Sequence, residues 1–362
     1  MTGPETSASA AETDELRRVV REFAAETFPS SELRATDYSA SAWTALSSSL
    51  GLTGIGIPQR HGGAGYSFTE LGVVVEELGA ALAPVPFLST VCAAAAIVAG
   101  GDEAAQAELL PELASGATVG VPVLRGAVAA HRAAAGWTLD GLVPHVPDGA
   151  RAALFVVAAN AAEGPALFAA RVPERGVTVR PRNALDATRP LAAVEFAAAP
   201  ARFIGIGPSA LQLAADLQLA ALACEQIGGT ARCLDRTVDY VKTRVQFGVP
   251  IGSFQAVKHR CADLLVELEA ARSIAYHARD AVAAAFAGAD AGSHAAVAAA
   301  AAWCAQTYVH AAQETIQLHG GIGFTWEHDA HLHLRRARSD QLLYGTPREH
   351  RRELVVATGL AG

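Results

Sequence analysis

Charge is scarce in this chain of 362 residues: Asp, Glu, Lys and Arg make up 18% of it against 51% hydrophobic residues, and the balance is −8. A chain without a basic excess carries no electrostatic footprint for nucleic acid or for an anionic membrane surface, so neither is expected as a partner. Cysteine is sparse and unpatterned. Cys92, Cys224, Cys233, Cys261 and Cys304 are odd in number and form no C-x-x-C pair, which argues against a disulfide framework and for reduced, mostly buried thiols. Long apolar runs are missing too. Met1 to Glu15 has no apolar core, so neither a signal peptide nor an anchor is read there, and Ala295 to Ala302 is too short for a membrane span. The expected location is the cytoplasm.

Two further absences narrow the chemistry. His328, His331 and His333 are close in sequence, but His328 and His331 share a helical face while His333 does not, and no matched carboxylate motif follows. No metal site is expected, only a solvated helix start. Gly63-Ala-Gly65 lacks the third glycine of a nicotinamide-dinucleotide fingerprint and follows no strand. Internal repeats are absent as well, and low complexity is limited to alanine enrichment, read as close helix packing.

What the chain does have is length for sizeable cores and too much of it for one compact unit. From Thr13 to Ala114 the apolar residues recur at helical spacing, with breaks at Pro29-Ser-Ser31, at Gly62, Gly63 and Gly65, and at Pro84-Val-Pro86. Between about Thr118 and Phe203 the texture changes to short Val-rich runs, Val119 to Val123, Ala153 to Val157 and Gly176 to Arg180, separated by turn residues. Long helical periods then return over Leu211 to Arg244, Ala256 to Ala287 and Ala295 to Leu318, with Gly288 to Gly292 as a loop. The expected architecture is mainly α with a small central β domain: a helical domain over residues 1–116, a β-barrel-like domain over 117–205, and a four-helix bundle over 206–362.

Three segments carry a resemblance. Arg244-Val-Gln-Phe-Gly-Val-Pro-Ile-Gly-Ser-Phe-Gln255 and Gln317-Leu-His-Gly-Gly-Ile-Gly-Phe324 resemble the R-x-x-F-G…F-Q and Q-x-x-G-G-x-G segments of the acyl-CoA dehydrogenase family. Gly56-Ile-Pro-Gln-Arg-His-Gly-Gly-Ala-Gly65 followed by Glu76-Glu-Leu-Gly79 is similar to the family's N-terminal signature. The resemblance implies FAD. In the family Arg244 and Phe247 reach the cofactor of the neighbouring subunit with Gln255 close by, while Gln317, Gly320 and Gly321 contact the same dinucleotide, since glycine admits close backbone approach to a pyrophosphate. The family's Y-E-G-T aligns with Gly345-Thr346 as its last two residues, placing Thr346 at the cofactor, Gly345 at the substrate, and Tyr344, twenty-seven positions after Gln317, where the catalytic glutamate belongs.

The departures are as informative as the matches. Family enzymes take the proton α to a thioester carbonyl with that glutamate while hydride leaves the β carbon for the flavin. A phenol titrates at about 10, so about one molecule in a thousand is ionised at pH 7, a deficit of about 4 kcal/mol in base availability. The alternative base position of some branches, on the first bundle helix, falls at Gln218, with Leu219 where an Arg often follows. The T-E-P-x-x-G-S-D loop that covers the flavin ring is replaced by Gly120 to Gly126, and Pro147 stands where a Thr near flavin N5 is usual. The ring half-site is eroded while the half-site for the ADP end is intact.

The function read from this is a subunit of a heteromeric acyl-CoA dehydrogenase that desaturates a bulky acyl-CoA or acyl-carrier thioester. It is similar to short partner chains of actinobacterial α2β2 assemblies acting on substrates such as steroid side chains. A longer homologue would supply base and ring pocket. Two alternatives stand beside it: a self-sufficient FAD enzyme of altered chemistry recruiting Tyr344 or Asp340, and a non-catalytic acyl-thioester-binding scaffold. The arginines Arg335, Arg336, Arg338, Arg348, Arg351 and Arg352 are read as a solvated, salt-bridged helix face.

Overall fold

A computed structural model describes residues 8–29, 33, 40–134, 136–289 and 292–360. The helical N-terminal part contains α1 (Ala10–Thr27), α2 (Ala40–Thr44), α3 (Phe68–Ala80), α4 (Phe87–Gly100) and α5 (Glu103–Ala114). Its starts are encoded locally. Ser9 with Glu12 and Ser67 with Glu70 form reciprocal capping boxes at α1 and α3, and the Asp102 side chain accepts from the Ala105 backbone at α5. Of the expected break at Pro29-Ser-Ser31, Ser30 and Ser31 lie outside the described residues.

The β part holds seven strands: β1 (Gly120–Val123), β2 (Val128–Ala133), β3 (Gly136–Pro147), β4 (Leu154–Ala161), β5 (Gly164–Arg171), β6 (Val177–Arg182) and β7 (Leu191–Ile206). The path β4-β2-β3-β7-β5 closes because β5 also pairs β4, antiparallel from Leu154↔Arg171 to Ala161↔Gly164. A small barrel results, which leaves none of these five strands with a free long edge. The sixteen-residue β7 lines one edge with β3 and shares the other between β6 and β5.

The bundle is α6 (Pro208–Thr243), α7 (Gln255–Phe286), α8 (Ser293–His319), α9 (Ala330–Leu343) and α10 (Pro347–Ala357). A short hairpin, β8 (Val245–Gln246) with β9 (Val249–Pro250), joins α6 to α7. The expected loop Gly288 to Gly292 separates α7 from α8, and its residues 290 and 291 lie outside the described set.

Glycine decides how the N-terminal part seats on the bundle. A Cβ on Gly228 of α6 would stand 1.9 Å from the Glu76 carbonyl oxygen on α3, and one on Gly79 of α3 would stand 2.5 Å from the Glu225 carbonyl oxygen on α6. Gly72 abuts the Arg279 side chain of α7. Of the glycines that interrupt the apolar face of α3, Gly79 therefore marks a close backbone approach and Gly72 makes room for side chains of α7 and α6. Buried alanines such as Ala271, Ala275, Ala300 and Ala311 hold the bundle helices close in the same manner. No described helix is long and apolar enough to cross a membrane.

Candidate functional site

One cluster of the expected site residues gathers at the open end of the bundle. Tyr240, one turn before Arg244, stacks its ring on His319 at 4.3 Å and donates its hydroxyl to the His319 carbonyl at 3.4 Å. That contact ties the end of α6 to the end of α8 and so brings Arg244 to the same end as Gln317, Gly320 and Gly321. The hairpin returns through Ile251, whose N–H donates to the Arg244 carbonyl at 2.8 Å, and leads to Gln255 at the start of α7. Arg244, Gln255, Gln317, Gly320 and Gly321 are exposed, whereas His319 is buried beneath Tyr240. Phe247 is 93% exposed and holds a positive φ of 52°, a conformation costly for a bulky residue. Phe254 lies against it, ring centroids 6.2 Å apart. Ile322, Phe324 and Trp326 add exposed apolar surface on the loop that follows. Gly321 has an ordinary φ, and a Cβ there would meet nothing within 4 Å. Nothing in the described chain requires glycine at that position.

The other cluster is buried. Helix α9 separates Tyr344 from that open end by ~20 Å at 1.5 Å per residue. Tyr344 closes α9 and is 7% exposed, packed in the main core. Burial pushes its phenol well above the ordinary range, against the pull of Arg189, so its proton stays on at any ordinary pH. Gly345 has φ 110°, and a Cβ on it would come within 2.7 Å of His350 Nε2 and 3.1 Å of Arg125. The Thr346 hydroxyl is engaged as the cap of α10, accepting from the Glu349 N–H and donating to the Glu349 carboxylate. These three residues are thus placed by packing and capping within the chain.

Around Tyr344 lies a network of buried charges. Arg189, in the loop before β7, donates to Asp340 Oδ1 at 2.7 Å and to Glu225 Oε2 at 2.5 Å. Arg336 donates to Asp186, to Glu225 Oε1 at 2.9 Å and to the Thr188 hydroxyl at 2.5 Å. Asp148 accepts from Ser89 at 2.7 Å and lies 3.7 Å from Arg151. Burial opposes ionisation of Glu225 and Asp186, yet the two arginines hold both below the usual carboxylate range. Asp148, Asp186, Glu225 and Asp340 face Arg151, Arg189 and Arg336, four acids against three guanidinium groups. Burial correspondingly pushes Asp340 up to about 7, and its Oδ2 is buried without a hydrogen-bond partner. The void left beside Thr188, Arg189, Glu225 and Arg336 is about 20 Å³, room for about one water and not for an acyl chain or a flavin ring.

Two expectations change. The arginines of α9 and α10 are not one solvated face: Arg338, Arg348, Arg351 and Arg352 are exposed, but Arg336 is buried because Asp186 and Glu225 meet it from the β part and from α6. Nor is the histidine cluster a solvated helix start. His328 precedes α9, whereas His333 is buried against Tyr308, whose hydroxyl lies 2.9 Å from His333 Nδ1. Among the described residues no group of three or more His, Cys, Asp or Glu could hold a metal. Arg189 and Glu225 were missed as site residues. Their signal was faint: Glu225 is a single acid within the apolar run Leu217 to Gly229, and Asp186 to Arg189 sets two charges between strands.

Comparison with known proteins agrees with this fold. The acyl-CoA dehydrogenase N-terminal domain matches residues 10–117 and the acyl-CoA dehydrogenase C-terminal domain matches residues 210–359. The chain is similar to the acyl-CoA dehydrogenase IpdE2 of Mycolicibacterium smegmatis, 36% identical over 317 residues that cover 88% of each chain. Among solved structures it is similar to the ChsE4–ChsE5 complex from Mycobacterium tuberculosis (TM-score 0.90, 25% identity, 98% of this chain and 99% of that one). It is also similar to a variant of the Tcur3481–Tcur3483 steroid ACAD (TM-score 0.88, 29% identity, 97% and 99%). With both terminal domains matched and the barrel between them formed, the chain belongs to the acyl-CoA dehydrogenase family of FAD-dependent flavoproteins.

Proposed function

We propose that this chain is the base-lacking subunit of a heteromeric acyl-CoA dehydrogenase, acting with a longer homologue in the α,β-desaturation of a bulky acyl thioester. The observation that carries the reading is the mismatch between the two clusters. The exposed end presents Arg244, Phe247, Gln317 and Gly321 outward with no partner surface of its own, while the base position is filled by Tyr344 and buried ion pairs.

FAD, when bound, accepts the hydride that leaves the β carbon of the thioester. The residues that fit it are those of the exposed end. Arg244 supplies a permanent planar cation for pyrophosphate oxygens, and Gly320 and Gly321 leave their backbone open to close approach. Phe247 at the hairpin tip would offer it an apolar ring, and Gln255 and Gln317 would offer amide hydrogen bonds. The void beside the charge network, about 20 Å³, has no room for the ring. The pocket for the ring and the carboxylate base are accordingly assigned to the partner. The names of the ChsE4–ChsE5 complex and of the Tcur3481–Tcur3483 steroid ACAD support a two-chain assembly and a large substrate.

The isolated chain is expected to turn over no acyl-CoA in a steady-state assay with an artificial electron acceptor. Turnover by the homogeneous chain alone refutes the reading. In the assembled complex Arg244→Ala should lower flavin affinity about ten- to a hundredfold, the worth of one charge-assisted contact, with the helical fold intact. Arg244→Lys should rescue it in part, since the planar fork is lost.

A further inference from the structure

A second cavity, of about 720 Å³, lies in the N-terminal part, and no residue of the barrel, of the exposed bundle end or of the buried charge network lines it. Its walls come from the loop before α3, from the first turn of α3, from α4 and α5, from the N-terminal third of α6 and from the end of α7. Ile57, Phe68, Leu71, Val91, Leu217 and Phe286 form its apolar side, and polar groups line the remainder. Small side chains create it: Ala94, Ala95 and Ala283 stand where larger ones would close the gap, and Ala95 is half-buried between buried neighbours on α4. The volume is in the range of sites for drug-sized ligands.

The polar atoms at the wall define what fits. The Thr53 hydroxyl donates to the Ala114 carbonyl at 2.8 Å and the Ser67 hydroxyl is held by Glu70, so both are committed. Gln106 differs. It is 5% exposed, its Nε2 donates to the Val98 carbonyl at 3.3 Å, and its Oε1 is buried with no partner. An acceptor left so is unfavourable by about 1–3 kcal/mol until a donor meets it. At the exposed rim Arg60 and Glu103 carry opposite signs and so favour neither an anion nor a cation.

We propose that this cavity binds a neutral, largely hydrocarbon molecule bearing one hydroxyl, which donates to Gln106 Oε1 once the amide turns toward the cavity. The site is separate from the flavin-binding residues and stands whether or not the heteromeric reading holds.

Titration of the full chain with 1-adamantanol, its methyl ether and 1-adamantanecarboxylate, followed by calorimetry, tests it. The wild-type chain should bind the alcohol at least about tenfold more tightly than the ether, which has no donor. Gln106→Leu should erase that preference while still binding both. Ala95→Phe on α4 and, independently, Ala283→Phe on α7 should abolish binding with unchanged circular dichroism, so that failure of one variant to fold leaves the other. The proposal is overturned by no binding to the wild-type chain, by binding that survives a folded filling variant, by preference for the carboxylate, or by an alcohol preference that persists in Gln106→Leu.

Discussion

Arg336 differs from Arg338, two residues on, by about half a turn of helix, and that rotation sets one guanidinium in the core and the other in water. Removing a buried partner leaves charge uncompensated, so Arg336→Leu, which strands Asp186 and half of Glu225, should lower unfolding free energy by about 3–5 kcal/mol. Arg338→Leu should change it by less than about 0.5 kcal/mol, both read from urea denaturation. His333 gives a pH signature. Burial, with Arg236, Arg232 and Arg336 nearby and only Asp329 opposing, lowers its imidazole to about 3. The unfolded chain therefore takes up a proton below about 6.5 that the native chain refuses, and stability falls as pH drops through that window. Asp340 acts in the opposite sense: its raised pKa stabilises the fold below about pH 4, and that share is lost as pH rises toward 7. His333→Gln should thus remove an acid-side loss of up to about 3 kcal/mol between pH 6.5 and 4.5. Equal losses in variant and wild type would contradict the assignment.

At the scale of elements, two glycines are predicted to behave oppositely although both lie in helical segments. Gly228 on α6 meets the α3 backbone, so Gly228→Ala must part the two helices and should be destabilising by about 1–3 kcal/mol or more, seen as a lower thermal midpoint. Gly321 meets nothing, so Gly321→Ala should leave the thermal midpoint unchanged. If the exposed end holds a dinucleotide, the same change should lower flavin retention in the assembled complex. Retention equal to wild type would show that the open surface there serves something else. The capping boxes at α1, α3 and α10 work more locally, each fixing a helix start through a Ser or Thr and a Glu three residues on.

For the whole molecule the question is how many complete sites an assembly holds. On the proposed division of labour, with the ring pocket in the partner and the ADP-end contacts in this chain, co-expression with a longer homologue should yield two flavins per four chains, measured by mass and visible absorbance. Four flavins per tetramer would contradict the proposed division of labour. The exposed apolar residues Phe247, Ile322, Phe324 and Trp326 at the bundle end form the surface on which that assembly would be built.

The helices, the barrel and the family membership were legible in the chain itself, because periodicity, turn residues and the R-x-x-F-G and Q-x-x-G-G-x-G segments are local signals that survive without a partner. Counting along the chain singled out Tyr344 and Thr346, but that Tyr344 closes α9 and that Thr346 caps α10 came from the fold. What α3 seats against, which arginine goes inside and where cavities lie depended on segments far apart in sequence. Arg336 finds Asp186 150 residues away and Glu225 111 residues away, and no local pattern records such a meeting. The Gln106 acceptor is left without a partner for the same reason: the cavity beside it is assembled from six separate segments. Sequence determined the parts and their chemistry; only packing decided which charges share a low-dielectric interior and which face solvent, since burial depends on neighbours that the chain brings together only on folding.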